Sequence, residues 1–374
     1  MGTVWSDHND LERSVPDSTA EQALEGADWS AFLQTNIISG EESISEPVYE
    51  ERSRTDGSLQ VQEYDETTQA FDAASRTPPL PTPLPITERK DPSPDLVGML
   101  ADQEQAVTAI GTGAYQTECL RPMLARPAAL MRVVVFPYAC GSFSSLVHLF
   151  QDMPESVEVW LCEYPGHGGR RDTPPATSVQ QIVDELVRSI LPLLSKPMVF
   201  FGHSMGSHIM YCVAQTLWES SLPIPVHLIA SGRLPPHLTH PDRSEMADRD
   251  GVNRKMTERM EQWGMTSDRL GYDMYHEQLN LLVECCMILG TPAKATSLPV
   301  SITVYWGELE DVDMDMVFIY HWAELSTTGS FRLHEFQGGH YYFNESKALQ
   351  AKVRERLEED ICQHLPATMC IPCT

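Results

Sequence analysis

The chain is poor in positive charge. Lysine and arginine number 26 against 53 aspartates and glutamates, a formal charge of -27 at pH 7. Such a chain repels phosphate backbones and anionic lipid surfaces, which argues against nucleic acid as a partner. Long apolar runs are missing too. No stretch approaches the ~18 apolar residues of a membrane-spanning helix. The opening MGTVWSDHND has no basic flank followed by an apolar run, so neither a span nor a secretory leader is expected and the chain reads as cytoplasmic. A dense cysteine framework is also absent: nine cysteines, an odd number, are scattered over 374 residues, which fits a reducing compartment. Cys370 and Cys373 stand at CxxC spacing in the tail, but no second pair completes a zinc site, and no metal is expected. The adjacent Cys285 and Cys286 read as small core hydrophobes. Gly2 and Ser6 meet the loose myristoylation pattern, which is short enough to recur by chance.

What is present changes along the chain. Residues 1–130 are acidic, rich in Ser, Thr, Glu and Pro, and without sustained periodicity. Such a segment buries too little apolar surface to offset its ordering entropy and is expected to be mostly disordered. Within it, RTPPLPTPLPITERK (76–90) carries overlapping PxxP units and reads as a stiff polyproline linker or a docking site for a proline-binding module. Short helices are possible at 28–36 and 93–110, the second with Ser93 as cap and Pro94 at the first helical position.

From residue 131 to 365 short apolar runs alternate with amphipathic stretches. Strands are expected at 131–137, 157–163, 197–202, 225–231, 300–307 and 331–336, and helices at 178–194 and 205–220 among others. Near-continuous apolar strands separated by helices predict an α/β domain with a mostly parallel sheet covered on both faces. Residues 240–290 sit where such folds insert a helical lid, and their methionines (Met246, Met256, Met260, Met265, Met274, Met287) suit either a pliable acyl-binding wall or ordinary helix packing. Residues 366–374 read as a flexible tail.

One stretch carries chemistry. GHSMG (202–206) matches GxSxG where an apolar strand ends and a helix begins, the setting in which the motif forms a nucleophile elbow and presents Ser204 at the carboxyl edge of the sheet. A serine needs a base to take its proton and a carboxylate to orient that base. His340, in the glycine-rich FQGGHYYF after the strand at 331–336, is the one histidine of 13 with the required position. His203 should point away from Ser204 and read as structural. Candidates for the acid follow the strand at 300–307: Glu308, Glu310, Asp311, Asp313 and Asp315.

These blocks, with FPYACGSF (136–143), YPGHGGRR (164–171), HLIASGRLPPH (227–237) and FRLHEFQGGHYY (331–342), resemble the type II thioesterases, stand-alone α/β-hydrolases serving fatty acid, polyketide and nonribosomal peptide synthases. The resemblance spans 131–365 and leaves the first 130 residues outside. It implies the α/β-hydrolase fold, a serine thioesterase with Ser204 as nucleophile and His340 as base, no cofactor, and an acyl carrier protein or acyl-CoA as partner. For the acid it selects Asp311 when counted back from Trp322 and Glu310 when counted forward from Gly307, and Asp311 is preferred because a helix spacing is less elastic than a turn. It assigns the oxyanion hole to the backbone N–H groups of Met205 and Ala139. The sequence departs from the family at Cys140, where glycine is usual; if that position needs positive φ, the loop is strained. Arg170, Arg171, Arg233 and Arg254 are candidates for a local basic patch facing an acidic carrier.

Overall fold

The computed structural model describes residues 80–92, 94, 98, 104–238, 244–290, 292–310 and 317–366. Gly2, the stretch 28–36, Ser93, Asp311, Asp313, Asp315, Cys370 and Cys373 lie outside them.

Seven strands form one sheet: β1 (Leu120–Pro122), β2 (Met131–Phe136), β3 (Val157–Cys162), β4 (Met198–His203), β5 (His227–Ser231), β6 (Ser301–Gly307) and β7 (Phe331–Phe336). The order is β1-β3-β2-β4-β5-β6-β7. β1 pairs antiparallel with β3 and every other neighbouring pair is parallel. The strands read as apolar runs because both faces are covered: Val134 and Phe136 of β2 enter one core, and Met131, Val133 and Val135 enter the other. This is the α/β-hydrolase architecture, and the six strands expected from residue 131 onward are found within two residues of their expected ends.

The longer helices are α1 (Glu104–Gly111), α2 (Val179–Ile190), α3 (Met205–Glu219), α4 (Arg249–Gln262), α5 (Tyr272–Leu289) and α6 (Lys347–Cys362). α2 starts where the Ser178 side chain accepts from the Gln181 N–H, and it buries Ile182, Val183, Leu186, Val187 and Ile190, one stripe at helical spacing. It packs with α3 in one core, while Val353, Leu357 and Ile361 of α6 enter the other.

The boundary expected at residue 130 falls inside the folded body. β1 pairs with β3 through Leu120–Pro122, and Ile110, Cys119 and Leu120 are buried. A three-residue strand ending in proline is too short to show a period. Residues 80–90 of the proline-rich segment likewise lie against the domain rather than forming a free linker. Extended prolines leave carbonyls without intrasegment partners, and the domain supplies donors for them: Ser297 Oγ to Leu84 O, Thr296 Oγ1 to Pro85 O, and Trp218 Nε1 to Thr87 O at 3.2 Å. The strap's own amides are used as well, Leu84 N to Glu324 O and Lys90 N to Glu219 O, both at 2.8 Å. Arg89 lies 4.5 Å over the Trp218 ring and donates to Leu222 O at 3.2 Å. No helix among the described residues is long and apolar enough to cross a membrane.

Trp218 thus holds the strap through its ring and its N–H. Trp218→Ala should speed tryptic cleavage at Arg89 and Lys90 by about tenfold or more, the population shift that losing ~1.4 kcal/mol of local stability produces. An unchanged cleavage rate would show that the strap is held elsewhere.

Candidate active site

The two glycines around Ser204 are required by close packing. A Cβ on Gly202 would stand 2.4 Å from the Gly206 carbonyl oxygen, and one on Gly206 would stand 2.0 Å from the Phe136 carbonyl oxygen of β2. Without side chains, β4, the turn and α3 meet backbone to backbone. The turn forces Ser204 to φ 53° and ψ -118°, a conformation that costs of order 1–3 kcal/mol and persists only when its surroundings fix it. Those surroundings are visible: Ser204 N donates to Ser231 O at 2.8 Å, and Ser207 Oγ donates to Gly202 O at 2.7 Å.

His340 follows Gly338, at φ 109°, and Gly339. The loop after β7 is stitched to the loop after β6, with Glu308 N donating to Phe336 O at 2.8 Å and Leu309 N to Gly338 O at 2.9 Å. Gly307 permits this approach, since its Cβ would lie 2.3 Å from Gly339 O. Glu310 N then closes the turn on Gly307 O at 3.0 Å, and the Glu310 carboxylate meets His340 Nδ1. Glu310, the candidate counted forward from Gly307, is therefore the carboxylate brought to His340, while the preferred Asp311 lies outside the described residues. The turn is pinned by three backbone hydrogen bonds.

Ser204, His340, Glu310, Met205 and Ala139 line one cavity of about 370 Å³. Ser204 Oγ and His340 share its floor without a hydrogen bond among the described contacts, a looseness common before substrate binds. The N–H groups of Met205 and Ala139 meet no acceptor among the described residues. Beside Ala139, Cys140 adopts φ 66°, so the strain that the missing glycine implied is present, at a cost of ~1–2 kcal/mol. Its Sγ donates to Gln278 O of α5 at 3.4 Å, and burial pushes its pKa well above the usual thiol value, which keeps it protonated and unreactive.

Two aromatic neighbours of His340 carry no sequence signal. Trp263, just past α4, stacks on the imidazole with centroids 5.2 Å apart and planes at 13°. His203 lies with its centroid 4.8 Å from that of His340. Its Nδ1 pairs with Ser231 Oγ at 2.8 Å, and Ser231 Oγ pairs in turn with Tyr342 OH at 2.8 Å. Burial, and then the charge of His340, push His203 far below the usual imidazole range, so it stays neutral. His203 is therefore a buried structural residue packed against His340. Residues 244–290 roof the cavity, with Met246, Met256 and Met287 on its wall, whereas Met260 and Met265 are buried in the core. Cys285 is buried as expected and Cys286 reaches the cavity wall. Of the four arginines offered as a surface patch, Arg170 is buried on Glu185 at 2.7 Å and Arg233 lines the cavity, leaving Arg171 and Arg254 exposed. No group of three His, Cys, Asp or Glu among the described residues could hold a metal.

Comparison with known proteins gives the site a context. The thioesterase domain family model matches residues 131–361. The medium-chain S-acyl fatty acid synthase thioesterase of Rattus norvegicus is 30% identical over 248 residues, 63% of this chain and 90% of the relative. Its Homo sapiens counterpart is 29% identical over 230 residues, 58% of this chain and 82% of the relative. Among solved structures, the prodiginine-pathway thioesterase RedJ of Streptomyces coelicolor superposes with a TM-score of 0.53 at 24% identity, covering 62% of this chain and 86% of its own, a likeness of fold.

The glycine packing is directly testable. Gly206→Ala should destabilise the protein by more than ~3 kcal/mol, because the clash is with backbone and cannot be relieved by a rotamer change. Urea unfolding of this variant beside Gly329→Ala, an open position at φ 69°, separates the clash from mere loss of glycine flexibility; equal destabilisation would refute the packing argument.

Proposed function

The chain belongs to the thioesterase domain family and is a thioester hydrolase, and on that premise we propose that Ser204 is its nucleophile, His340 its general base and Glu310 the carboxylate that orients the base. The observation that carries this reading is the Glu310 contact to His340 Nδ1 on the floor of the cavity that also exposes Ser204. With Nδ1–H donated to Glu310, Nε2 is left to take the serine proton. Ser204 Oγ attacks the thioester carbonyl, and the N–H groups of Met205 and Ala139 stabilise the oxyanion. The thiol then leaves with the proton held by His340, giving an acyl-Ser204. Water deprotonated by the same imidazole releases the carboxylic acid. Trp263 and neutral His203 hold the ring from two sides, which limits its movement between the two half-reactions.

The substrate is an acyl group on a carrier protein or on CoA, within fatty acid, polyketide or nonribosomal peptide synthesis. The relatives' names support this, as does a methionine-bearing cavity roofed by residues 244–290. An acidic carrier would meet an acidic chain, so Arg171 and Arg254, both exposed, are the candidates to draw it in.

Hydrolysis of matched acyl thioesters and p-nitrophenyl oxyesters tests the assignment. Ser204→Ala and His340→Ala should each lower kcat by about 10³ or more, and Glu310→Gln by about 10²–10⁴. Asp311→Asn should cost less than about tenfold, since on this reading Glu310 holds Nδ1 and Asp311 has no part in the chemistry. A collapse in Asp311→Asn with Glu310→Gln spared would move the acid by one residue, and a clear preference for oxyesters would move the protein to the esterases.

A further inference from the structure

The cavity wall carries charge of the sign the chain otherwise lacks. Against 53 acidic and 26 basic residues overall, the cavity presents, among the described residues, Arg233 and Arg259 and a single acid, Glu310, whose carboxylate is engaged by His340. Arg233 is fixed in place by its backbone. It follows Gly232, at φ 58°, where the chain leaves β5, and its carbonyl accepts from Trp322 Nε1 at 2.8 Å. Its guanidinium has no carboxylate within ion-pair distance among the described residues, and burial lowers its pKa. His208, on the first turn of α3, lines the same cavity. It is 3% exposed and its Nδ1 has no partner among the described residues. Burial, and then the charge of Arg233, take it down to about 3, so the ring is neutral and carries one N–H. Arg233 is partly exposed to the cavity, with only the charge of Glu310 acting on it among the described carboxylates, and the buried Nδ1 of His208 lacks a partner, so a ligand that supplies an acceptor is favoured there. The two groups answer a planar anion best: the guanidinium offers a fork of donors, and the neutral imidazole adds one more without competing for the charge.

We propose that Arg233 and His208 form an anion subsite inside the acyl cavity, and that the thioesters hydrolysed best carry a carboxylate on the acyl group. This rests on the reading of Ser204 as the acylated residue. The carboxylate lies against Arg233 while the thioester carbonyl sits at Ser204, and the reaction is otherwise unchanged: the thioester C–S bond breaks, water supplies the hydroxyl and proton, and a dicarboxylic acid leaves. An uncharged chain of the same length leaves Arg233 and His208 without their acceptor, so discrimination follows from the protein's unpaired groups.

The full-length protein is assayed with three N-acetylcysteamine thioesters of equal chain length: an alkanoyl, its ω-carboxylated analogue and the methyl ester of that analogue. The carboxylated substrate should exceed both others in kcat/KM by about tenfold or more, chiefly through KM. In Arg233→Met the ratio should fall toward one, and Arg233→Lys should restore part of it. A wild-type preference for the uncharged chains would overturn the proposal, and so would an equal loss on all three substrates in Arg233→Met. N-Acetylcysteamine lacks phosphate, so the same series on CoA distinguishes the other source of an anion. An Arg233-dependent gain that appears only on CoA, whatever the acyl group, would assign the arginine to phosphate and reject the carboxylate. If Arg233→Met fails to fold, the wild-type profile still decides, with His208→Leu expected to reduce the same ratio. Turnover that survives Ser204→Ala would defeat the catalytic reading, whereas serine-dependent turnover without carboxylate preference would defeat this subsite alone.

Discussion

The contact on which the site depends is the one between the backbones of Gly202 and Gly206. With no side chains between them, the end of β4 lies against the first turn of α3, and Gly206 in turn lies against the carbonyl of Phe136. Ser204 has no choice of conformation between these points. Its φ of 53° is unfavourable in isolation, and the close packing of sheet and helix over-determines it. The same geometry begins α3 at Met205, whose N–H meets no acceptor among the described residues.

A second backbone contact does for Glu310 and His340 what the first does for Ser204. Gly307 brings the end of β6 against Gly339, and the paired amides of Glu308 and Leu309 fix one loop to the other. The loops that carry the carboxylate and the imidazole are thus positioned against each other by main chain, and Trp263 of the roof stacks on the imidazole. That roof is softer. Met246, Met256, Met287 and Cys286 face the cavity, and such side chains are pliable and polarizable.

Cys140 shows that the rigid part carries strain beyond the elbow. A residue with a Cβ occupies a left-handed position next to Ala139, and its thiol is tied to the α5 backbone at Gln278. The loop that carries Ala139 is therefore linked to the roof. The strap at residues 80–90 adds a further long-range tie, crossing the C-terminal part of α3 through Trp218 and the approach to β6 through Thr296 and Ser297.

By itself the sequence determined the alternating α/β pattern, six of the seven strands, the elbow at Ser204 and the position of His340. Each is written in contiguous residues: an apolar run between turn residues, a GxSxG between strand and helix, a GGH after a strand. The tertiary structure decided the rest. Which carboxylate meets His340 depends on how two loops 30 residues apart lock together, and that contact is what separates the two counts, which along the sequence selected different residues. Trp263 above His340, the short strand β1, the docked strap and the placement of Arg233 and His208 around one cavity all arise from contacts between distant segments. Local composition at those places reads as helix, linker or surface, because a side chain's neighbours in space are set by the packing of the whole chain.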